Sequence, residues 1–250
     1  MARPQRTVTV AGKTQLSPHF VRLQLTGASL SDFPIGYEGG YVKLVFPLKG
    51  SVEAKPLMRS FTVRAFDAPN QTLTLDAVAH GDNGGPAANW IQQTREGHEI
   101  QIVGPGACQP INAEADWFLL AGDMSAIPAI SVNLQQLPKT ARGHVVLEVI
   151  NEADCIELDA PSGIEVHWII NREPELPNSK LEDYVMSLPW QAGTVSVWVA
   201  GEFSASRALR QYFRHDKAIA RDKMYVSCYW KVGTTDEGMK AAKQTDPEPW

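Results

Sequence analysis

Trp117-Phe118-Leu119-Leu120-Ala121-Gly122-Asp123-Met124-Ser125-Ala126-Ile127-Pro128 is the stretch that decides the fold. An unbroken apolar run reads as a strand covered on both faces, and a glycine turn followed by a proline near a first helical turn reads as the start of a helix. Ser125 is the expected N-cap of that helix. The same rhythm continues downstream, with apolar strands at 145–150, 166–170, 195–200 and 224–228 and helices at 127–137, 181–188 and 205–214. Apolar strands alternating with helices predict a parallel α/β sheet.

Upstream the period changes. Residues 6–11 and 21–26 alternate apolar and polar side chains, and 41–46, 60–66 and 72–79 continue the series of short strands between Gly, Pro and Asn turns. Strands with one buried face at this spacing predict an antiparallel barrel or sandwich. One short helix is expected at 86–95, then a strand at 98–103 that Gly104-Pro105-Gly106 stops. The chain is therefore expected to hold an antiparallel β-barrel over 1–112 and an α/β parallel-sheet domain with a C-terminal extension over 113–250.

The 250 residues are 44% hydrophobic and 20% charged, which is globular usage and excludes a disordered chain. A net charge of −5 opposes nucleic acid and anionic membrane surfaces, so any anion site must be a local basic patch. Cys108, Cys155 and Cys228 are too far apart for C-x-x-C zinc or redox chemistry and form no paired framework. No apolar run has the length of a signal peptide or a membrane span, so a cytoplasmic protein without membrane insertion is expected.

Three stretches carry chemistry. Arg59-Ser60-Phe61-Thr62 sets a forked cation and an aromatic two residues apart on one strand face, with a hydroxyl beside them; an ordinary strand with one exposed Arg has the same look. His80-Gly81-Asp82-Asn83-Gly84-Gly85-Pro86-Ala87-Ala88-Asn89-Trp90 leads a glycine-rich turn into a helix N-terminus, the arrangement that receives phosphate, although a tight turn also needs glycines. It does not fit G-x-G-x-x-G. Gly122-Asp123-Met124-Ser125-Ala126 and Gly201-Glu202-Phe203-Ser204 are βα turns at the carboxyl edge of the predicted sheet, where nucleotides bind. Tyr229-Trp230 emerges on that same edge.

In this order the stretches resemble the ferredoxin-reductase-like flavoproteins, and more specifically the siderophore-interacting protein family of ferric-siderophore reductases. The resemblance rests on Arg59 to Arg64, His80-Gly81-Asp82, Gly85-Pro86-Ala87, Leu119 to Asp123, Val199 to Glu202 and Tyr229 to Gly233, and covers about 6–243. It implies a bound FAD, with Arg59 at the phosphates, Phe61 packed on the isoalloxazine and Ser60 and Thr62 beside it. Val78, Ala79, His80 and Asp82 would border the ring or ribityl chain, Gly85, Pro86 and Ala87 would cap the pyrophosphate, and Trp230 would border the cofactor. Phe61 stands where the family usually has Tyr.

The resemblance also implies an electron donor at Gly122, Asp123, Ser125, Ala126, Gly201, Glu202 and Ser204. NAD(P)H is the expected donor, and the single-glycine turn leaves room for a ferredoxin. For an anionic ferric siderophore, Lys43 on a barrel strand and Lys240 and Lys243 on a C-terminal helix match the family's basic positions. No resident metal and no acid/base pair are expected, because the cofactor carries the redox chemistry. A monomer is expected. Two other readings share these motifs: an NAD(P)H-dependent reductase of free flavin, and a non-catalytic protein that sequesters iron chelates.

Overall fold

The computed structural model describes residues 4–46, 56–79, 85–107, 109–248 and 250. His80 and Asp82, both expected at the cofactor, lie outside the described residues, as does Cys108. The chain divides into two units, Met1–Gln109 and Pro110–Trp250. Ile111 already belongs to the second, since its N–H donates to Asn133 Oδ1 at 2.9 Å.

The first unit is a closed antiparallel barrel of β1 (Gln5–Ser17), β2 (Phe20–Thr26), β3 (Tyr41–Phe46), β4 (Leu57–Asp67), β5 (Thr72–Val78) and β6 (Glu99–Gly106), in the order β1-β2-β5-β4-β3-β6. Alternation explains its core: Val8 and Val10, Leu23 and Leu25, Val42 and Leu44, and Leu73 and Leu75 all point inward at period two. Helix α1 (Gly85–Gln93) packs Ile91 onto this core.

The expected stop at Gly104-Pro105-Gly106 is corrected: β6 runs through all three residues. Proline removes one ladder donor, but Gly104 is bonded on both sides. Its N–H donates to the Pro4 carbonyl at 3.1 Å, and its carbonyl accepts from Arg6 Nη1 at 2.7 Å. Gly106 then lies against the Tyr41 ring, where a Cβ would stand 2.2 Å from Cζ.

The second unit holds a five-stranded parallel sheet of β7 (Trp117–Asp123), β8 (Arg142–Val149), β9 (Gly163–Ile170), β10 (Val195–Glu202) and β11 (Met224–Trp230), ordered β11-β10-β7-β8-β9. Every residue of central β7 is buried, the state its sequence demanded. Helices α2 (Ile127–Gln136), α3 (Lys180–Ser187), α4 (Phe203–Gln211) and α5 (Asp236–Thr245) accompany the sheet, and α4 continues as a wider turn over Tyr212–Asp216. Among the described residues no helix is long and apolar enough to cross a membrane.

Candidate functional site

On the barrel, β4 pairs with β3 over Leu57–Phe46 to Thr62–Tyr41, and its ladder to β5 begins only at Val63. The Arg59–Thr62 segment thus follows β3 on one side before β5 joins on the other. Strand alternation separates its side chains. Arg59 and Phe61 share the face of Leu44 and Val42, while Ser60 and Thr62 share the face of Lys43 and Tyr41. Arg59 and Phe61 are half-buried, Ser60 is exposed and Thr62 buried. Phe61 packs on the rim of the barrel core, and Arg59 Nη1 donates to the Met58 carbonyl at 3.0 Å.

Val78 ends β5 and Ala79 follows it, both half-buried, with the Ala79 N–H on the His19 carbonyl at 2.9 Å. Gly85 opens α1 at φ +80°, a conformation that favours glycine, and among the described residues nothing lies within 4 Å of where its Cβ would stand. Pro86 and Ala87 follow in the first turn, with Ala87 against the core. A half-buried guanidinium, an aromatic ring partly open to solvent and a helix start fit FAD in charge, shape and polarity.

The α/β turns gather around one carboxylate. Asp123 Oδ1 accepts from the Ser125 N–H at 2.8 Å and the Ser125 hydroxyl at 2.5 Å; Oδ2 accepts from the Glu202 N–H at 2.8 Å and Trp230 Nε1 at 2.7 Å. Burial pushes the Asp123 carboxyl up, and these bonds pull it back in part. The carboxyl ends of β7, β10 and β11 are tied together through it. The close approach needs Gly122, whose Cβ would stand 2.4 Å from the Ala200 carbonyl oxygen and 2.6 Å from Ala126 Cβ.

The assignment of Ser125 as N-cap is corrected. Ala126 is the N-cap of α2 and has no side-chain oxygen to cap it, while the Ser125 hydroxyl is spent on Asp123. Few donors then face outward from this turn. The Ile127 N–H goes to the Met124 carbonyl at 3.3 Å, and Pro128 has none. At α4, Glu202 caps its own helix by accepting from the Ser204 N–H, and it also accepts from the Val232 N–H at 3.2 Å. Of the expected donor site, the structure therefore unites Gly122, Asp123, Ser125, Ala126, Gly201, Glu202 and Ser204 at one sheet edge. It places Trp230 there as well, with its indole N–H committed to Asp123.

The three lysines differ. Lys43 is half-buried on β3, between Ser60 of β4 and Val103 of β6. On α5, Lys240 is exposed while Lys243 turns inward. Its Nζ donates to the Cys228 carbonyl at 2.9 Å and lies 5.1 Å from the Trp250 ring centroid. The Cys228 thiol is buried and pushed up to about 12, chiefly by burial, so it takes no part in thiolate chemistry.

A closed antiparallel barrel with Arg-x-aromatic-Thr on one strand, followed by a five-stranded parallel sheet, defines the ferredoxin-reductase-like class of flavoproteins. The comparisons agree. Residues 115–233 match the siderophore-interacting protein family, and 9–54 and 50–109 match the siderophore-interacting FAD-binding domain. The ferric vibriobactin reductase ViuB of Vibrio cholerae is 34% identical over 93% of this chain and 91% of its own. The siderophore-interacting protein SipS of Aeromonas hydrophila is 32% identical with a TM-score of 0.83, covering 97% of each chain. A ferredoxin-NADP+ reductase of Plasmodium falciparum, 13% identical with a TM-score of 0.64 over 90% of this chain and 96% of its own, shares the fold alone. The chain belongs to the siderophore-interacting protein family, and with its FAD-binding domain it is a flavin-dependent oxidoreductase.

Proposed function

We propose that the protein is a cytoplasmic ferric-siderophore reductase that holds FAD on its barrel and releases iron as Fe(II). The observation that carries this reading is the pairing of Arg59 and Phe61 on one face of β4, in a chain a third identical to a protein named as a ferric vibriobactin reductase. Arg59 neutralises phosphate charge, Phe61 supplies a flat apolar surface for the ring system, and the first turn of α1 offers the backbone N–H groups of Gly85 and Ala87 on either side of Pro86. Bound there, FAD takes up electrons as a pair and can release them singly. Oxygen chelators hold hard Fe(III) better than softer Fe(II), so reduction of the substrate loosens it. Cysteines left unbridged at 155 and 228 fit a reducing compartment.

Lys43 and Lys240 are assigned to docking of the anionic chelate, and Lys243, held on the Cys228 carbonyl, adds positive charge on α5. A protein of net charge −5 needs local cations for this. In a double Lys43→Ala/Lys240→Ala variant, anaerobic single-turnover transfer from pre-reduced protein to an anionic ferric siderophore, followed with a ferrous indicator dye, is expected to slow about tenfold at low salt. The salt dependence should flatten while flavin content stays unchanged. Failure of the parent protein to reduce any ferric chelate would overturn the reductase reading, whereas an unchanged variant would overturn only the lysine assignment.

For the electron donor, NAD(P)H and a reduced carrier protein such as ferredoxin are both compatible with the fold. The occupied turns favour the carrier. At the turns after β7 and β10, on the edge where such sheets receive a nucleotide, backbone donors are held by Asp123 and Glu202. Stopped-flow reduction by reduced ferredoxin is expected to exceed reduction by millimolar NADH or NADPH about tenfold or more. The reverse order would assign the donor to the nicotinamide nucleotide.

A further inference from the structure

On edge strand β9, Glu165 and His167 point to one face of the sheet, and on the adjacent β8 His144 stands in register opposite Glu165. The three side chains converge. His144 Nδ1 is 3.1 Å from His167 Nε2, His144 Nδ1 is 3.6 Å from Glu165 Oε2, and His167 Nε2 is 3.8 Å from the same oxygen. Two imidazole nitrogens and a carboxylate oxygen are the donor set of a zinc-type cation. The three separations put one point about 2.0 Å from all three atoms at once, which is the length of a Zn–N or Zn–O bond.

A second, independent feature supports the same reading. Each histidine has its remote ring nitrogen held by a neutral partner: His144 Nε2 lies 3.1 Å from the Gln191 amide, and His167 Nδ1 lies 3.0 Å from the Tyr184 hydroxyl. Orientation of ligating imidazoles through the other nitrogen is the usual second layer of a metal site, and either orientation of the amide is available to Gln191. The His144 side chain is 5% exposed and that of Glu165 is 71% exposed, so the cluster has a fixed floor and an open mouth.

We propose that His144, Glu165 and His167 bind one divalent transition-metal cation of the zinc class, with water completing its coordination. The site is separate from the βα turns of the same sheet: His144 is level with Leu119, about 13 Å along the strand from Asp123. The ion cross-links edge strand β9 to β8 and pins the sheet on that side.

The test uses tag-free, flavin-loaded protein, stripped with a chelator and titrated with Zn2+, with metal content measured by mass spectrometry. One equivalent of zinc is expected, and Co2+ in its place should give the visible bands of a tetrahedral ion. Tyr184→Phe is expected to weaken Zn2+ binding about 10- to 100-fold, and Glu165→Ala and His167→Ala to weaken it further, all with unchanged flavin content. Saturating Zn2+ should raise the melting temperature of the parent and not that of His167→Ala. A parent that retains no stoichiometric zinc, or Glu165→Ala and His167→Ala variants that both bind it with parental affinity, would overturn the site. Because Glu165 is at the surface, its variant folds whatever becomes of His144.

Discussion

Arg59→Ala is expected to purify with most of its FAD gone. A hydrogen bond to a charged group contributes about 1.5–3 kcal/mol, so losing one phosphate contact weakens the flavin about 10- to 150-fold. Arg59→Lys keeps the charge, loses the planar fork and should fall between the two. Neither change touches the barrel core, because the packed side chains on this face of β4 are Leu57, Phe61 and Val63. Flavin-to-protein absorbance ratio and flavin titration measure the effect, and an Arg59→Ala protein with the parental ratio would remove Arg59 from the cofactor site.

The second large effect lies at the C-terminus of the chain. After α5, Asp246 Oδ2 accepts from Arg207 Nε at 3.1 Å, Arg210 Nη2 at 3.0 Å and Trp250 Nε1 at 2.9 Å. The Arg210 guanidinium also lies 4.0 Å from the centroid of the Trp250 ring, and both the Arg210 and Asp246 side chains are 1% exposed. Asp246→Asn leaves a buried guanidinium without its counter-charge, which costs about 3–5 kcal/mol. For a chain of this size the melting temperature should drop about 6–20 °C. Replacing both partners, as in Arg210→Met/Asp246→Leu, should recover much of that loss, since well-packed apolar groups avoid the desolvation of two ions. If Asp246→Asn melts with the parent, the ion pair does not hold the C-terminus.

The same pair predicts a pH dependence. Burial alone would raise the Asp246 carboxyl, but bonds from the Glu248 N–H, Arg207 and Trp250 hold it below the ordinary carboxylate value. A carboxyl depressed in the folded state contributes stability above its unfolded value, about 3.9, and loses it as pH falls through the lower folded value. The gap between parent and Asp246→Asn should therefore be widest near neutrality and close as pH drops below about 4. Thermal melts across that range measure it.

Much of this molecule is legible in one dimension. The alternation at 6–10 and 21–25 and the apolar run at 117–121 announce a barrel and a covered parallel sheet, because side-chain period and burial are local consequences of sequence. Arg59-x-Phe61-Thr62 is equally local, since two residues apart on a strand is one face wherever the strand goes. The sequence could also have shown Glu165-x-His167 as a same-face pair. Other features depend on neighbours far along the chain. Gly104-Pro105-Gly106 reads as a stop until Pro4 and Arg6 satisfy Gly104, and Ser125 reads as a cap until Asp123 claims its hydroxyl.

By itself, then, the sequence determined the two folds, through spacing within single elements, and the family, through the order of its motifs along the chain. Only tertiary structure decided what the polar groups face. Asp123 joins Trp230 across the sheet, Lys243 turns from solvent to the Cys228 carbonyl, and strand register brings His144 to Glu165 and His167. The physical reason is that a hydrogen bond or coordination bond is decided at about 2–3 Å, a distance set by how separate elements meet and not by residue order along either one.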